Sequence, residues 1–213
     1  AETPLEWHEE IFLHAAKENI ELFSTPFTEE AVDFLEKFDP PAYKIASFEL
    51  TDLDLVRHVC TKKRHLLMST GMASANEVNN AINIAREHLD DNQVLLFHCI
   101  SDYPAKLSDS NLRMIQILAN QFQVSVGLSD HTIGYAAAIA ATTLGARAIE
   151  KHFVIDRSVQ TADSEFSATF QEMSDLVDAV HDVTSALNGS PWKRSVNEEA
   201  NKQFRRSLYY AKS

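Results

Sequence analysis

An α/β fold built on a parallel sheet is what the sequence predicts, and three observations predict it. Short apolar runs alternate with amphipathic helical stretches along the whole chain. The runs are continuously apolar, as in strands that are covered on both faces. Capping signals mark the starts of several helices between them. An open doubly wound sheet and a closed eightfold barrel both satisfy this beat.

The elements follow in order. Thr3-Pro4-Leu5-Glu6 reads as a capping box with proline at the first helical position, and Leu5, Ile11, Phe12, Ala15 and Ala16 mark the apolar face of a front helix. Residues 21–25, ELFST, form the first expected strand, which Pro26 halts; Thr28 then caps a helix carrying Val32, Leu35 and Phe38. A strand over 43–47 leads to a short helix near 52–60, and a strand over 65–69 leads to a helix that Ser74 and Glu77 open and that runs to about residue 88. Residues 93–97 form a strand, followed by a polar loop and a helix over 110–121. A strand over 124–128 precedes an Ala-rich helix over 134–144, and a strand over 147–150 precedes the last long helix, capped by Thr169 and Glu172 and ending near Asn188-Gly189. The expected count is six strands with a helix after each, and a further helix in front. That is two strands short of a closed barrel, and the leading helix points to a strand before it. No internal repeat, linker or low-complexity stretch divides the chain.

Composition narrows the function. The 213 residues carry 19 basic and 31 acidic side chains, 19 − 31 = −12, and 45% are apolar, enough for one domain with a core. A nucleic-acid binder displaces counterions with a basic surface, and this chain has the opposite sign. An anionic substrate therefore needs a local positive pocket or a bound cation. No apolar run reaches the ~18 residues of a membrane span. The opening AETPLEWHEE lacks a basic-then-apolar signal, so a cytoplasmic setting is expected. Cys60 and Cys99 are too few for a disulfide scaffold or a cysteine zinc site. The five glycines form no phosphate loop, which argues against Walker and dinucleotide-binding folds.

Position carries the strongest functional signal. Reactive side chains gather at the C-terminal end of each expected strand: Ser24 and Thr25; Lys44, Ser47 and Glu49; Ser69 and Thr70; His98, Ser101 and Tyr103; Ser129, Asp130 and His131; Lys151 and His152. Parallel α/β folds bind their ligands at that edge. Many hydroxyls with two lysines suit a phosphate or carboxylate. His131 and His152, at the ends of consecutive strands, are placed to point into one mouth and hold a divalent ion with positions left for substrate and water. Glu49, Tyr103 and Asp163 suit a polyhydroxylated substrate.

Plainer readings stand beside these. His98 reads as a hydrogen-bonded structural residue, and His8, His14, His58, His65, His88 and His181 as structural or solvated. A strand lysine is costly to bury unpaired, so Lys44 and Lys151 read as functional, with a Lys–Glu pair inside a barrel as the structural alternative. The Ala136–Ala141 run is close helix packing, and Glu6, Glu9, Glu10, Glu29 and Glu30 are helix-start charges.

The stretches FSTPF (23–27), AYKIASFEL (42–50), LLMSTGMA (66–73), HCISDYPA (98–105), NLRMI (111–115), GLSDHTIG (127–134) and IEKHFVIDR (149–157) closely resemble the sialic acid synthase family, the phosphoenolpyruvate-dependent nonulosonic acid synthases. The resemblance covers essentially the whole chain. It implies a (β/α)8 TIM-type barrel, with about six of its eight strand–helix units here in residues 1–190. Residues 191–213 would then begin a linker to a small C-terminal antifreeze-like domain that closes the partner's site in a domain-swapped homodimer.

Carried over by position, the resemblance makes His131 and His152 ligands of a divalent metal, Mn2+ or Mg2+. It gives phosphoenolpyruvate to Thr25, Lys44, Ser47, Ser69, Ser101 and Ser129, and the sugar to Glu49, Tyr103 and Asp163. Lys44 and Glu49 are the catalytic candidates. Ser101 departs from members with asparagine there. Asp163-Ser164-Glu165-Phe166-Ser167 and ASFELTDL (46–53) lean towards pseudaminic acid synthases, whereas His98-Cys99 leans towards the sialic, legionaminic or spore-coat branches. The implied reaction condenses phosphoenolpyruvate with an N-acetylated amino sugar, N-acetylmannosamine or a related sugar, and a 2,4-diacetamido acceptor is the alternative. A Schiff-base aldolase using Lys44 or Lys151, or an inert binding or oligomerisation piece, are the rival readings.

Overall fold

The computed structural model describes residues 3–205. Its centre is a curled, half-barrel sheet of five parallel strands in sequential order: β1 (Ala42–Ile45), β2 (His65–Ser69), β3 (Val94–Cys99), β4 (Ser125–Asp130) and β5 (Ile149–Lys151). A helix follows each strand: α3 (Leu53–Thr61), α4 (Ala75–Arg86), α5 (Met114–Phe122), α6 (Ala136–Thr143) and α7 (Phe170–Leu187). Two helices precede the sheet, α1 (His8–Lys17) and α2 (Glu29–Leu35), and α8 (Val196–Asn201) follows it. Sequential parallel order with a helix in every crossover is the (β/α) barrel arrangement.

Strand alternation builds the core. Tyr43 and Ile45, Leu66 and Met68, Val94 and Leu96, and Val126 and Leu128 join one buried cluster with Val56 and Val59 of α3, Ile82 and Ala85 of α4, and Ile115 and Leu118 of α5. Burying each such aliphatic side chain is worth about 1.5–3 kcal/mol. The Tyr43 hydroxyl is satisfied within this layer by donating to Glu36 Oε2 at 2.8 Å. The residues between them in each strand face the barrel interior. There Gly127 leaves room for the Phe97 ring: a Cβ on it would stand 2.8 Å from that ring and 2.6 Å from the Ala148 carbonyl.

The capping boxes of α4 and α7 form as expected, Ser74 with Glu77 and Thr169 with Glu172, and Thr28 caps α2. Two expectations fail. Residues 21–25 run without strand pairing, touching β1 through one backbone bond, Lys44 N to Ser24 O at 3.4 Å, so five strands form rather than six. A single slanted bond leaves the rest of that run outside a ladder. The Thr3–Glu6 box does not close: Pro4 is the cap of a 3-10 turn over Leu5–Trp7 without a side-chain bond, and α1 starts only at His8. Within the residues expected to begin a linker, α8 is opened by a Ser195–Glu198 box; residues 206–213 of that stretch lie outside the described residues.

Aromatic packing holds the front of the chain to the barrel. Phe12 stacks on Phe38 at 4.9 Å between centroids, and His8 meets Phe34 edge-on at 5.1 Å. His8 is thus structural. No described helix is long and apolar enough to cross a membrane.

Candidate active site

The side chains at the strand ends form two tiers, and strand parity explains them. Residues two apart on a strand share a face, about 6.6 Å apart. At the end of β2 the pair is Ser69 and, just past the strand, Gly71; at β3 it is Cys99 and Ser101, at β4 Ser129 and His131, and at β5 Glu150 and His152.

The lower tier centres on Lys44. Its ammonium donates to Ser69 Oγ at 2.7 Å, approaches Glu150 Oε2 at 3.5 Å and lies 5.6 Å from the Phe97 ring centroid. Ser129 Oγ donates to the other Glu150 oxygen at 2.6 Å. The Lys44 side chain is only 8% exposed, so its charge is presented to one side. That side is a cavity of about 690 Å3 whose lining includes Phe23, Ser24, Thr25, Lys44 and Glu150. Thr25 therefore shares the space in front of Lys44 although its strand does not form.

The upper tier has two parts. In one, Ser47 Oγ accepts from Gly71 N at 3.2 Å and meets Cys99 Sγ at 3.1 Å. Gly71 lets these side chains converge: a Cβ would stand 2.3 Å from Ser101 Oγ and 2.7 Å from both Cys99 Sγ and Ser47 Oγ, and would force them to rotate away. Ser101 Oγ and Glu49 Oε2 are buried with no hydrogen-bond partner among the described residues. Buried polar atoms are seldom left so, which marks both as open for a ligand.

In the other part, the His131 and His152 rings stand 5.3 Å apart between centroids, edge to face. Tyr103 lies 4.3 Å from His131, and the loop bearing it is tied down by Ala105 N donating to the His131 carbonyl at 3.0 Å. Phe166 closes the cluster, 5.0 Å from His152. Asp163 Oδ2 is 3.6 Å from His152 Nδ1.

These imidazoles fit a divalent ion. His131 Nδ1 is 2.8 Å from the Ile100 carbonyl, which can only accept, so the proton sits on Nδ1 and the Nε2 lone pair is free. Burial holds this ring below the usual histidine value against the opposing pull of that carbonyl, which favours the neutral, ligating form. No group of three or more His, Cys, Asp or Glu is arranged for a metal among the described residues. A metal here would thus take two protein nitrogens and leave its other positions to water and substrate.

Two lysines that looked alike in the sequence separate. Lys151 turns away from the interior: its ammonium donates to Asp130 Oδ2 at 2.9 Å and to the Thr132 carbonyl at 2.6 Å. It is a structural ion-pair residue; His98 is structural too, its Nε2 hydrogen-bonded to the Ser110 carbonyl at 2.7 Å. Sequence reasoning missed Glu150, Phe166 and Gly71. The first was readable: it lies two residues before His152 on the same strand, so it must share that face.

Comparison with known proteins places this geometry. Residues 1–191 match the NeuB family. Pseudaminic acid synthase of Campylobacter jejuni is 44% identical over 212 residues, covering 100% of this chain and 62% of its own length. N,N'-diacetyllegionaminic acid synthase of the same organism is 35% identical, over 99% of this chain and 64% of its own. The crystal structure of N-acetylneuraminic acid synthetase from Leptospira borgpetersenii, in complex with citrate, superposes with a TM-score of 0.88 at 29% identity, over 97% of this chain and 72% of that one. The chain thus spans less than two thirds of the length of these two curated relatives.

Proposed function

The chain belongs to the NeuB family, and from that premise we propose that it is the barrel part of a synthase joining phosphoenolpyruvate to an N-acetylated amino sugar with release of phosphate. The observation that carries the proposal is the juxtaposition of the Lys44 tier with the paired imidazoles of His131 and His152 on one sheet edge. A chain of net charge −12 meets a trianionic substrate there with a fixed cation and a metal-binding pair.

The residues divide the work. Lys44, oriented by Ser69 and Glu150, neutralises phosphate or carboxylate, and Thr25, Ser47, Ser101 and Ser129 supply hydroxyls to the remaining oxygens. His131 and His152 would hold a divalent ion, which when bound would polarise the aldehyde of the open-chain sugar. Tyr103, Asp163 and Glu49 line the sugar side, and the partnerless Glu49 oxygen is placed to exchange a proton with a sugar hydroxyl. Carbon 3 of phosphoenolpyruvate attacks the aldehyde carbon, water adds at carbon 2, and C–O cleavage releases phosphate. Positioning and preorganised charge supply much of the rate gain.

The 44% identity to a pseudaminic acid synthase, against 35% to a legionaminic one, favours a 2,4-diacetamido sugar as acceptor. Residues 191–213 fit the start of a connection to a further small domain, which in a domain-swapped homodimer would cover the partner's mouth, in the cytoplasm. The test is a product assay on the intact protein, with phosphoenolpyruvate and a panel of amino sugars. Phosphate release that requires the diacetamido sugar, stops in chelator and returns with Mn2+ is the expected result. Full turnover in both His131→Ala and His152→Ala, or a borohydride-trapped pyruvate adduct on Lys44, would overturn the reading.

A further inference from the structure

We infer that the buried Asp130–Lys151 ion pair is the clamp that sets the distance between the two histidines, making Asp130, Lys151 and Thr132 positioning residues for the metal pair. The inference rests on the proposed metal-holding role of His131 and His152 and adds what positions them. Asp130 and Lys151 are register partners, the last rung of the β4–β5 ladder. His131 and His152 are the next residue on each chain, so alternation turns their rings to the site face while the ion pair stays on the opposite one.

The clamp is fully used. One Asp130 oxygen accepts from Thr132 N at 2.9 Å and Thr132 Oγ1 at 2.8 Å; the other accepts from Lys151 Nζ at 2.9 Å, which also donates to the Thr132 carbonyl at 2.6 Å. The two side chains are 1% and 4% exposed. Solvent therefore screens the pair weakly, and its hydrogen bonds are directional. Little else fixes this spacing from the β5 side. That strand has three residues and, among the described residues, pairs only with β4. The chain beyond it is held by Ala168 N donating to the His152 carbonyl at 2.8 Å and Val154 N donating to the Ala168 carbonyl at 2.9 Å. A buried charged pair at the end of a short ladder has low tolerance for displacement, since any separation leaves both charges uncompensated.

The test measures Mn2+ binding to the intact protein by calorimetry, beside thermal unfolding. The double variant Asp130→Asn/Lys151→Met removes both charges and keeps the volume. It is expected to fold and to bind Mn2+ at least tenfold more weakly than the parent. Leu118→Ala, a core change in α5 away from the site, is expected to lower the melting temperature with Mn2+ affinity unchanged; this separates positioning from general destabilisation. If the double variant fails to fold, Thr132→Val, which loses one donor to Asp130, carries the test with about a threefold loss expected. A folded variant that binds Mn2+ within twofold of the parent overturns the clamp while leaving the metal role intact. A parent protein that binds no Mn2+, or binds it equally after His131→Ala, overturns both.

Discussion

The two faces of one sheet treat the same residue type in opposite ways. Lys44 on β1 points into the barrel, where one hydroxyl and one half-exposed carboxylate attend it and an open cavity lies before it. Lys151 on β5 points the other way and is closed off by Asp130 and the Thr132 carbonyl, its side chain 4% exposed. Both are buried strand lysines. The difference is parity: an odd or even step along the strand decides whether a cation faces the open cavity or braces the scaffold.

Breaking the brace should cost most in stability. Lys151→Met leaves Asp130 charged and unpaired in the interior, and urea unfolding should show a loss of about 3–5 kcal/mol. Breaking the other lysine should leave stability nearly as it was and remove function. Lys44→Met is expected to lower kcat/KM by about 100- to 1,000-fold, the scale of losing one preorganised charged donor. Equal effects of the two substitutions on both quantities would erase the distinction between the faces.

A smaller effect tests the packing of the interior face. Gly127→Ala would push a methyl group against the Ala148 carbonyl and the Phe97 ring, and should cost about 1–3 kcal/mol in the same unfolding measurement. The ring is flexible at its edge but the carbonyl is backbone, so the strain falls on the β4–β5 connection.

The smallest expected effect is a pH dependence from the helix-facing side. Burial holds His98 below the usual histidine value, outweighing the bond to the Ser110 carbonyl. The unfolded chain therefore binds more protons than the folded one as pH falls below the model-compound value of 6.5. Stability should be fully present above that value and decline below it. Melting temperatures across pH 5 to 8 should show the decline, and His98→Asn should reduce it, with the likewise depressed His131 supplying the remainder.

Much of this was legible in the chain. The alternation of apolar runs with capped helices was enough for a parallel α/β sheet, and the reactive residues at the strand ends located the site edge. His131 and His152 were recognisable because each ends a strand in consecutive units. Glu150 could have been read from its two-residue offset to His152. Phe166 could not: it lies in a loop after β5, and only the folded chain lays its ring against His152. The strand expected over 21–25 shows the converse, since its residues suit a strand but make one bond to a neighbour. Local propensity proposes an extended segment; a ladder needs a partner in register.

The sequence by itself determined the fold class, the family and which reactive side chains end the strands, because periodicity, caps and residue types are local properties of the chain. Tertiary structure alone decided which lysine lines the open cavity, that Gly71 sits against three side chains, and that two histidines twenty-one positions apart meet across 5.3 Å. Those outcomes depend on register and on which face a side chain leaves from, and both are fixed only when strands pair.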